Sequence, residues 1–294
     1  MELRVLRYFL AIAREETISG AAESLHLSQP TLSRQLMDLE AELGKALFIR
    51  GKRKIALTEE GMLLRKRAQE ILELVDKTES EFLAEDEIVS GDIYIGGGET
   101  YALRVIANAI KDLQGEHPNV KFHLFSGNAE DVTDRLDKGL IDFGVLIEPA
   151  SVVKYESMRL PDVDTWGLLM RGDSPLAERD AVAPQDLWDL PLICSRQTLE
   201  GKEISDWMRR DYEKLNIVAT YNLVYNASLL VQEGIGYALC LDRIVNASGN
   251  SPLLFKPLEP RLEARLDIVW KKYQVFSKAS RIFLAKLRQT LAQV

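Results

Sequence analysis

At 294 residues, with 46% hydrophobic and 28% charged residues, the chain is a globular protein large enough for two or three domains. No apolar run approaches bilayer length, and the N-terminus lacks an apolar stretch with a small-residue cleavage site, so neither a membrane protein nor an exported one is expected. The net charge of −8 argues against a nucleic-acid partner as a sum but not as a distribution: residues 1–57 carry nine basic and seven acidic groups, a balance of +2 that leaves −10 for the rest.

Leu3, Leu6, Leu10 and Ala13 recur at helical spacing, which predicts a first amphipathic helix over residues 2–14. Thr17 or Ser19 can cap the next helix. Its apolar residues Ile18, Ala21, Ala22 and Leu25 form a narrow stripe of mostly small side chains that permits a close helix crossing. After a short turn at His26 and Leu27, Ser28 caps a third helix with Pro30 in its first turn, where a missing N–H costs nothing. Leu32, Leu36, Leu39 and Leu43 are expected to face inward, and Gln29, Pro30, Thr31, Ser33 and Arg34 outward.

Those outward residues are what a DNA-reading helix needs. Gln pairs bidentately with adenine, Arg with guanine, and a Thr methyl meets a thymine methyl. The same polar face would suit any exposed helix start, so the next segment tips the balance. Apolar runs at 47–49 and 55–57 flank the basic residues Arg50, Lys52, Arg53 and Lys54, which reads as a β-hairpin wing able to neutralise phosphates.

Thr58 then caps a long helix, with Glu59 and Glu60 complementing its dipole. Leu64, Ala68, Ile71, Val75, Thr78 and Phe82 follow a heptad seam, so residues 59–86 read as a dimer rod in preference to a core helix, the remaining face being strongly charged.

Over residues 1–61 the chain resembles the DNA-binding domain of LysR-type transcriptional regulators. The residues that carry the likeness are Phe9, the run 21–25, the run 28–36, the run 39–44, the run 47–50 and the run 57–61. The resemblance implies a winged helix-turn-helix over 1–58 and a linker helix with hinge over 59–90. It also implies that Gln29, Pro30, Thr31, Ser33 and Arg34 meet the major groove, with Arg50 and Arg53 on the backbone or minor groove.

Beyond residue 87 the pattern becomes alternating. Short strands are expected at 91–98, 120–126, 143–147, 166–170, 191–194, 217–223, 236–241 and 266–270. Helices are expected at 101–115, 129–138, 199–214, 226–234 and 276–291, which together make an α/β fold with parallel sheet. The run Gly96, Gly97, Gly98 lacks the spacing of a dinucleotide fingerprint, and no Gly-Lys-Ser/Thr follows it. It serves either a tight strand-to-helix turn or a ligand held by exposed N–H groups.

This order of elements is similar to the effector-binding domain of the same family, itself like the type 2 periplasmic binding proteins. Two α/β lobes are implied, lobe one from 91–161 with 267–294 and lobe two from 162–266, joined by crossovers at 161–164 and 262–266. The cleft between them would be lined by Gly98, Glu99 and Thr100, by Ser126, Gly127 and Asn128, by Leu146 and Ile147, and by Ser195, Arg196, Gln197 and Thr198. The family commonly has a hydroxyl where Glu99 stands and ends the last lobe-two strand in proline, where this chain has Asp242. Glu99 could cap its own helix or touch a ligand, with Arg196 opposite it.

The three histidines, His26, His117 and His123, have no metal-ligand spacing to a cysteine or to one another, and Ser195 lies in no Gly-x-Ser-x-Gly elbow. No metal, cofactor or catalysis is expected. Cys194 and Cys240 read as buried free thiols. The expectation is a cytoplasmic regulator that binds double-stranded DNA and a small-molecule effector, assembles as a homodimer or homotetramer, and meets RNA polymerase but no membrane.

Overall fold

The computed structural model describes residues 1–51, 54–82, 89–148 and 150–292. The chain divides into two compact units, residues 1–83 and 84–294.

The first unit is helical with one hairpin. Helix α1 (Leu3–Glu15) buries Leu6, Phe9 and Ile12 and ends at Glu16 in the left-handed conformation. Helix α2 (Ile18–Ser24) is capped by Thr17, whose hydroxyl accepts the Gly20 N–H at 3.1 Å. Helix α3 (Gln29–Leu43) is capped by Ser28, carries Pro30 in its first turn and ends on left-handed Gly44, as its sequence dictates. Strands β1 (Phe48–Arg50) and β2 (Ile55–Leu57) pair antiparallel, and helix α4 (Glu59–Phe82) follows.

One core holds these elements. Leu32, Leu36 and Leu39 of α3, Ala21 and Ala22 of α2, and Phe9 of α1 meet Leu47 and Phe48, with the Phe9 and Phe48 rings 5.3 Å apart. Two expectations change here. Leu43 is exposed, because α3 ends beyond the last turn that the core reaches. Leu64, Ala68 and Ile71, expected on a dimer seam, pack with Leu72 into this unit's own core. Heptad spacing defines an apolar stripe but not its partner, and α1 supplies that partner within the chain.

The second unit has two lobes. Lobe one is a five-stranded sheet in the order β4-β3-β5-β13-β6, built from β3 (Gly91–Gly97), β4 (Val120–Ser126), β5 (Phe143–Ile147), β6 (Tyr155–Arg159) and β13 (Leu266–Lys271). β3 runs parallel to β4 and β5, and β13 runs antiparallel to β5 and β6. Helices α5 (Leu103–Glu116) and α11 (Lys278–Ala292) cover one face around Ile106, Leu113, Phe283 and Leu287; α6 (Ala129–Asp137) covers the other through Val132 and Leu136.

Lobe two is a sheet in the order β11-β7-β10-β8-β9, with β12 pairing β7 off its end. Its strands are β7 (Asp164–Arg171), β8 (Leu192–Ser195), β9 (Ile217–Tyr221), β10 (Tyr237–Leu241), β11 (Leu253–Pro257) and β12 (Glu263–Ala264). The region expected as one helix over 199–214 breaks into α8 (Arg196–Glu200), α9 (Glu203–Met208) and a single 3-10 turn, with α7 (Pro184–Leu187) before β8 and α10 (Val224–Gln232) after β9. The break follows the sequence, since Gly201 cannot favour continuation and Arg209 takes a left-handed φ of 53°. The two crossovers run side by side: Glu263 pairs with Thr165, and Ala264 with Asp164.

Candidate functional site

In the first unit, the turn between α2 and α3 is set by His26, left-handed at φ 55°, and by the Leu27 N–H, which returns to the Ala22 carbonyl at 2.9 Å. Ser28 then starts α3. Its hydroxyl lies 2.7 Å from the Thr31 hydroxyl and accepts the Thr31 N–H at 3.3 Å. Gln29, Pro30, Thr31 and Arg34 are exposed on one surface and Ser33 is half-buried. Arg34 makes no ion pair or hydrogen bond within the described residues, so its guanidinium is available to a base edge or phosphate.

The hairpin is bolted to that helix. A carboxylate oxygen of Glu40, on α3, accepts the N–H groups of Leu47 at 2.7 Å and Phe48 at 3.3 Å. The Ile55 N–H donates to the Glu16 carbonyl at 2.9 Å, and Lys54 ion-pairs with the Glu16 carboxylate. That ion pair holds Glu16 below the usual carboxylate range. Arg50 closes β1, with its backbone opposite Ile55; Arg53 lies outside the described residues.

In the second unit a cavity lies between the lobes. Gly98, Glu99, Gly127, Asn128, Ser195, Ile147, Gln197 and Thr198 line it, as the strand-to-helix turns required. Gly98 and Gly127 bring bare backbone to its wall: a Cβ on Gly98 would stand 3.0 Å from Ile147, and one on Gly127 2.8 Å from Asp131.

Four expected residues lie elsewhere. Thr100 turns away to donate its hydroxyl to Asp164. Ser126, the last residue of β4, is exposed on the outer side of its strand end. Leu146 alternates away from the cleft into the small core beneath α6. Arg196 opens α8 with its side chain in solvent and does not reach Glu99.

Glu99 lines the cavity and does not cap its own helix. Helix α5 starts only at Leu103, beyond its reach as a cap, and the Glu99 carboxylate instead accepts the N–H of Val224, the first residue of α10 in the opposite lobe. Gln197 makes the second bridge, donating to the Ile147 carbonyl at 3.1 Å and accepting the Ala129 N–H at 3.4 Å. Asp242, where the family has proline, accepts the Thr165 N–H at 2.9 Å and returns its own N–H to the Thr165 carbonyl at 2.9 Å. It ties β10 to the crossover and leaves the cavity wall to others.

Sequence reasoning missed the apolar lining: Trp166 on β7, Tyr221 at the end of β9, Val224, Cys240 and Leu241 on β10, and Ile244. The signal was present, since these residues lie at or near strand ends facing the turns already identified, where ligands of open α/β sheets collect. Among the described residues, no group of three or more His, Cys, Asp or Glu could hold a metal, and no helix is long and apolar enough to cross a membrane.

Two family models match the chain: the bacterial regulatory helix-turn-helix protein of the lysR family over residues 3–62, and the LysR substrate binding domain over residues 87–292. The transcriptional regulator BsdA of Bacillus subtilis is 30% identical over 220 residues, which is 74% of each chain. The Hca operon transcriptional activator HcaR of Escherichia coli is 27% identical over 300 residues, covering 100% of this chain and 99% of its own. Among solved structures, CbnR, a LysR family transcriptional regulator, superposes with a TM-score of 0.78 at 20% identity over 99% of both chains. The complex of full-length CbnR with its target DNA gives 0.76 over 99% of this chain and 100% of the other, a likeness of fold. With a matching domain at each end and a relative at this identity, the chain belongs to the LysR family of DNA-binding transcriptional regulators with an effector-binding domain.

Proposed function

We propose that this regulator reads its operator with Gln29, Pro30, Thr31, Ser33 and Arg34 and holds the flanking phosphates with Arg50 and Arg53. The observation that carries the reading is the exposed, unpaired Arg34 at the front of a helix anchored by buried Leu32, Leu36 and Leu39. Glu40 fixes the basic hairpin to the same helix, so both act as one rigid surface.

The cavity between the lobes receives a small-molecule effector. Because Glu99 and Gln197 bridge the lobes directly, a ligand bound beside them strengthens or loosens the closure those bonds hold and shifts the balance between closed and open arrangements. The protein acts in the cytoplasm, where its DNA is, as a homodimer or homotetramer, and its output passes to RNA polymerase. Leu63, Leu74 and Phe82 on α4, exposed by 60%, 42% and 86%, are the apolar groups that a second copy would cover.

The test is a mobility-shift titration on DNA from upstream of the protein's own gene, repeated over a salt series. Specific retention is expected, and replacing Arg50 and Arg53 together should weaken binding to all sequences and flatten the salt dependence by about one counterion per residue. An unchanged salt slope would remove the hairpin from the interface.

A further inference from the structure

We infer that the effector of this cleft is a small amine, an apolar body bearing a protonated nitrogen, and not a carboxylate. The inference rests on the reading of this cavity as the effector site. The described residues around it include two carboxylates, Glu99 and Glu148, and no Lys, Arg or His.

Glu148 already has a cationic partner, lying 2.7 Å from the Arg159 guanidinium, which also reaches Asp267 at 3.1 Å. Glu99 has no such partner: its carboxylate meets one backbone N–H and no cationic side chain among the described residues. A half-buried carboxylate without a counter-charge favours a cation brought to it and repels an anion. Trp166 and Tyr221 offer ring surface in the same cavity, which an ammonium group also prefers.

The N–H groups at the two longer helix starts facing the cavity are used by the protein itself. At the start of α6, the Asn128 side chain accepts the Asp131 N–H at 2.8 Å, Asp131 accepts the Asn128 N–H at 3.2 Å, and Gln197 accepts the Ala129 N–H. At the start of α10, Glu99 takes the Val224 N–H and Asn222 takes the Leu223 N–H at 3.0 Å. An anionic ligand would have to displace these acceptors and then lie beside Glu99. An ammonium needs neither step, because it donates hydrogen bonds to the Glu99 carboxylate while that group keeps its bond to Val224. Ile147, Leu241 and Ile244 accommodate the apolar body.

The experiment measures thermal stabilisation of the full-length protein by matched probes on one skeleton: benzylamine, benzyl alcohol and benzoate, with butylamine, butanol and butyrate as an aliphatic set. Wild type and Glu99→Gln are compared, and operator retention is followed in the same samples. The expected result is that an amine raises Tm at concentrations where its matched acid does not, with at least a tenfold difference in apparent affinity that Glu99→Gln reduces severalfold. The inference is overturned if an acid stabilises as well as its amine, if no amine stabilises, or if Glu99→Gln keeps the full preference. The underlying reading fails separately: an acid that binds and changes operator retention leaves the effector site standing and removes the amine. A ligand that stabilises the protein while retention stays fixed removes the effector role itself.

Discussion

The Thr100 hydroxyl donates to the carboxylate of Asp164, so a residue of lobe one is tied to the first crossover where lobe two begins. Asp164 is fully buried, and its other oxygen lacks a hydrogen-bond partner and stands 3.6 Å from the Arg243 guanidinium, which stacks over the Tyr101 ring at 4.3 Å. Four side chains thus fasten the lobes at the hinge. A charged group there is expensive unless fully paired.

Burial pushes the Asp164 carboxyl above its ordinary range, and Asp242 adds to the effect, against the pull of the Thr100 hydrogen bond and Arg243. The folded state therefore keeps this proton to higher pH than the unfolded chain, and between the two values stability falls as pH rises. Asp164→Asn should remove that loss, giving a Tm at neutral pH equal to or above wild type and a flatter dependence on pH above the ordinary carboxylate range. Asp164→Ala should instead cost about 1–3 kcal/mol, because Thr100 loses its acceptor and Arg243 its nearby carboxylate. Denaturation at several pH values separates the two.

Two glycines should respond in opposite directions to alanine. A Cβ on Gly61, in the first turn of α4, would fall 2.1 Å from the Leu47 carbonyl oxygen, which also accepts the Thr58 N–H. Gly61→Ala should destabilise by about 1–3 kcal/mol or more, since backbone has to move. Gly115 is exposed within α5 and meets nothing within 4 Å, so Gly115→Ala should stabilise by about 0.5–1 kcal/mol. Urea denaturation followed by circular dichroism reads both.

Both thiols are buried and protonated. Burial raises Cys194 and Cys240 to about 12, and they lie on opposite faces of one sheet, Cys194 packed with Leu239 and Cys240 with Ile193. Native protein at pH 8 should resist iodoacetamide while denatured protein takes up two equivalents. Rapid labelling of the native form would show that one of these strands opens.

Assembly should depend on α4. Leu63 and Leu74 are eleven residues apart and share a face beside the stripe used internally by Leu64, Ala68 and Ile71. Changing both to Glu should shift the mass measured by light scattering toward the monomer without lowering the Tm of a core that neither enters. An unchanged mass would place the interface elsewhere.

Much of this was legible because several signals agreed at each point. Thr17, Ser28 and Thr58 cap the helices their positions announced, and the α3 leucines face the core as far as Leu39. The failures share one cause: local pattern does not name the partner. The first half of the α4 seam had the right period and met α1 within the chain. Thr100 and Arg196 stood in the right turns, but the direction of each side chain depends on Asp164 for one and on solvent for the other. Glu99 reaches a residue 125 positions away, which no window of sequence contains. Strands β6 and β11 were missed because they lie at sheet edges with mostly exposed or half-buried residues and no alternation to mark them.

Footprinting of purified protein on the DNA upstream of its gene, wild type beside Arg34→Ala, bears most directly on the exposed start of α3. A protected stretch with approximate two-fold symmetry is expected, lost or weakened by about 1–3 kcal/mol in the variant while residual non-specific binding persists. Equal protection by both proteins would contradict base reading by Arg34, and absence of any protected stretch would contradict the whole surface.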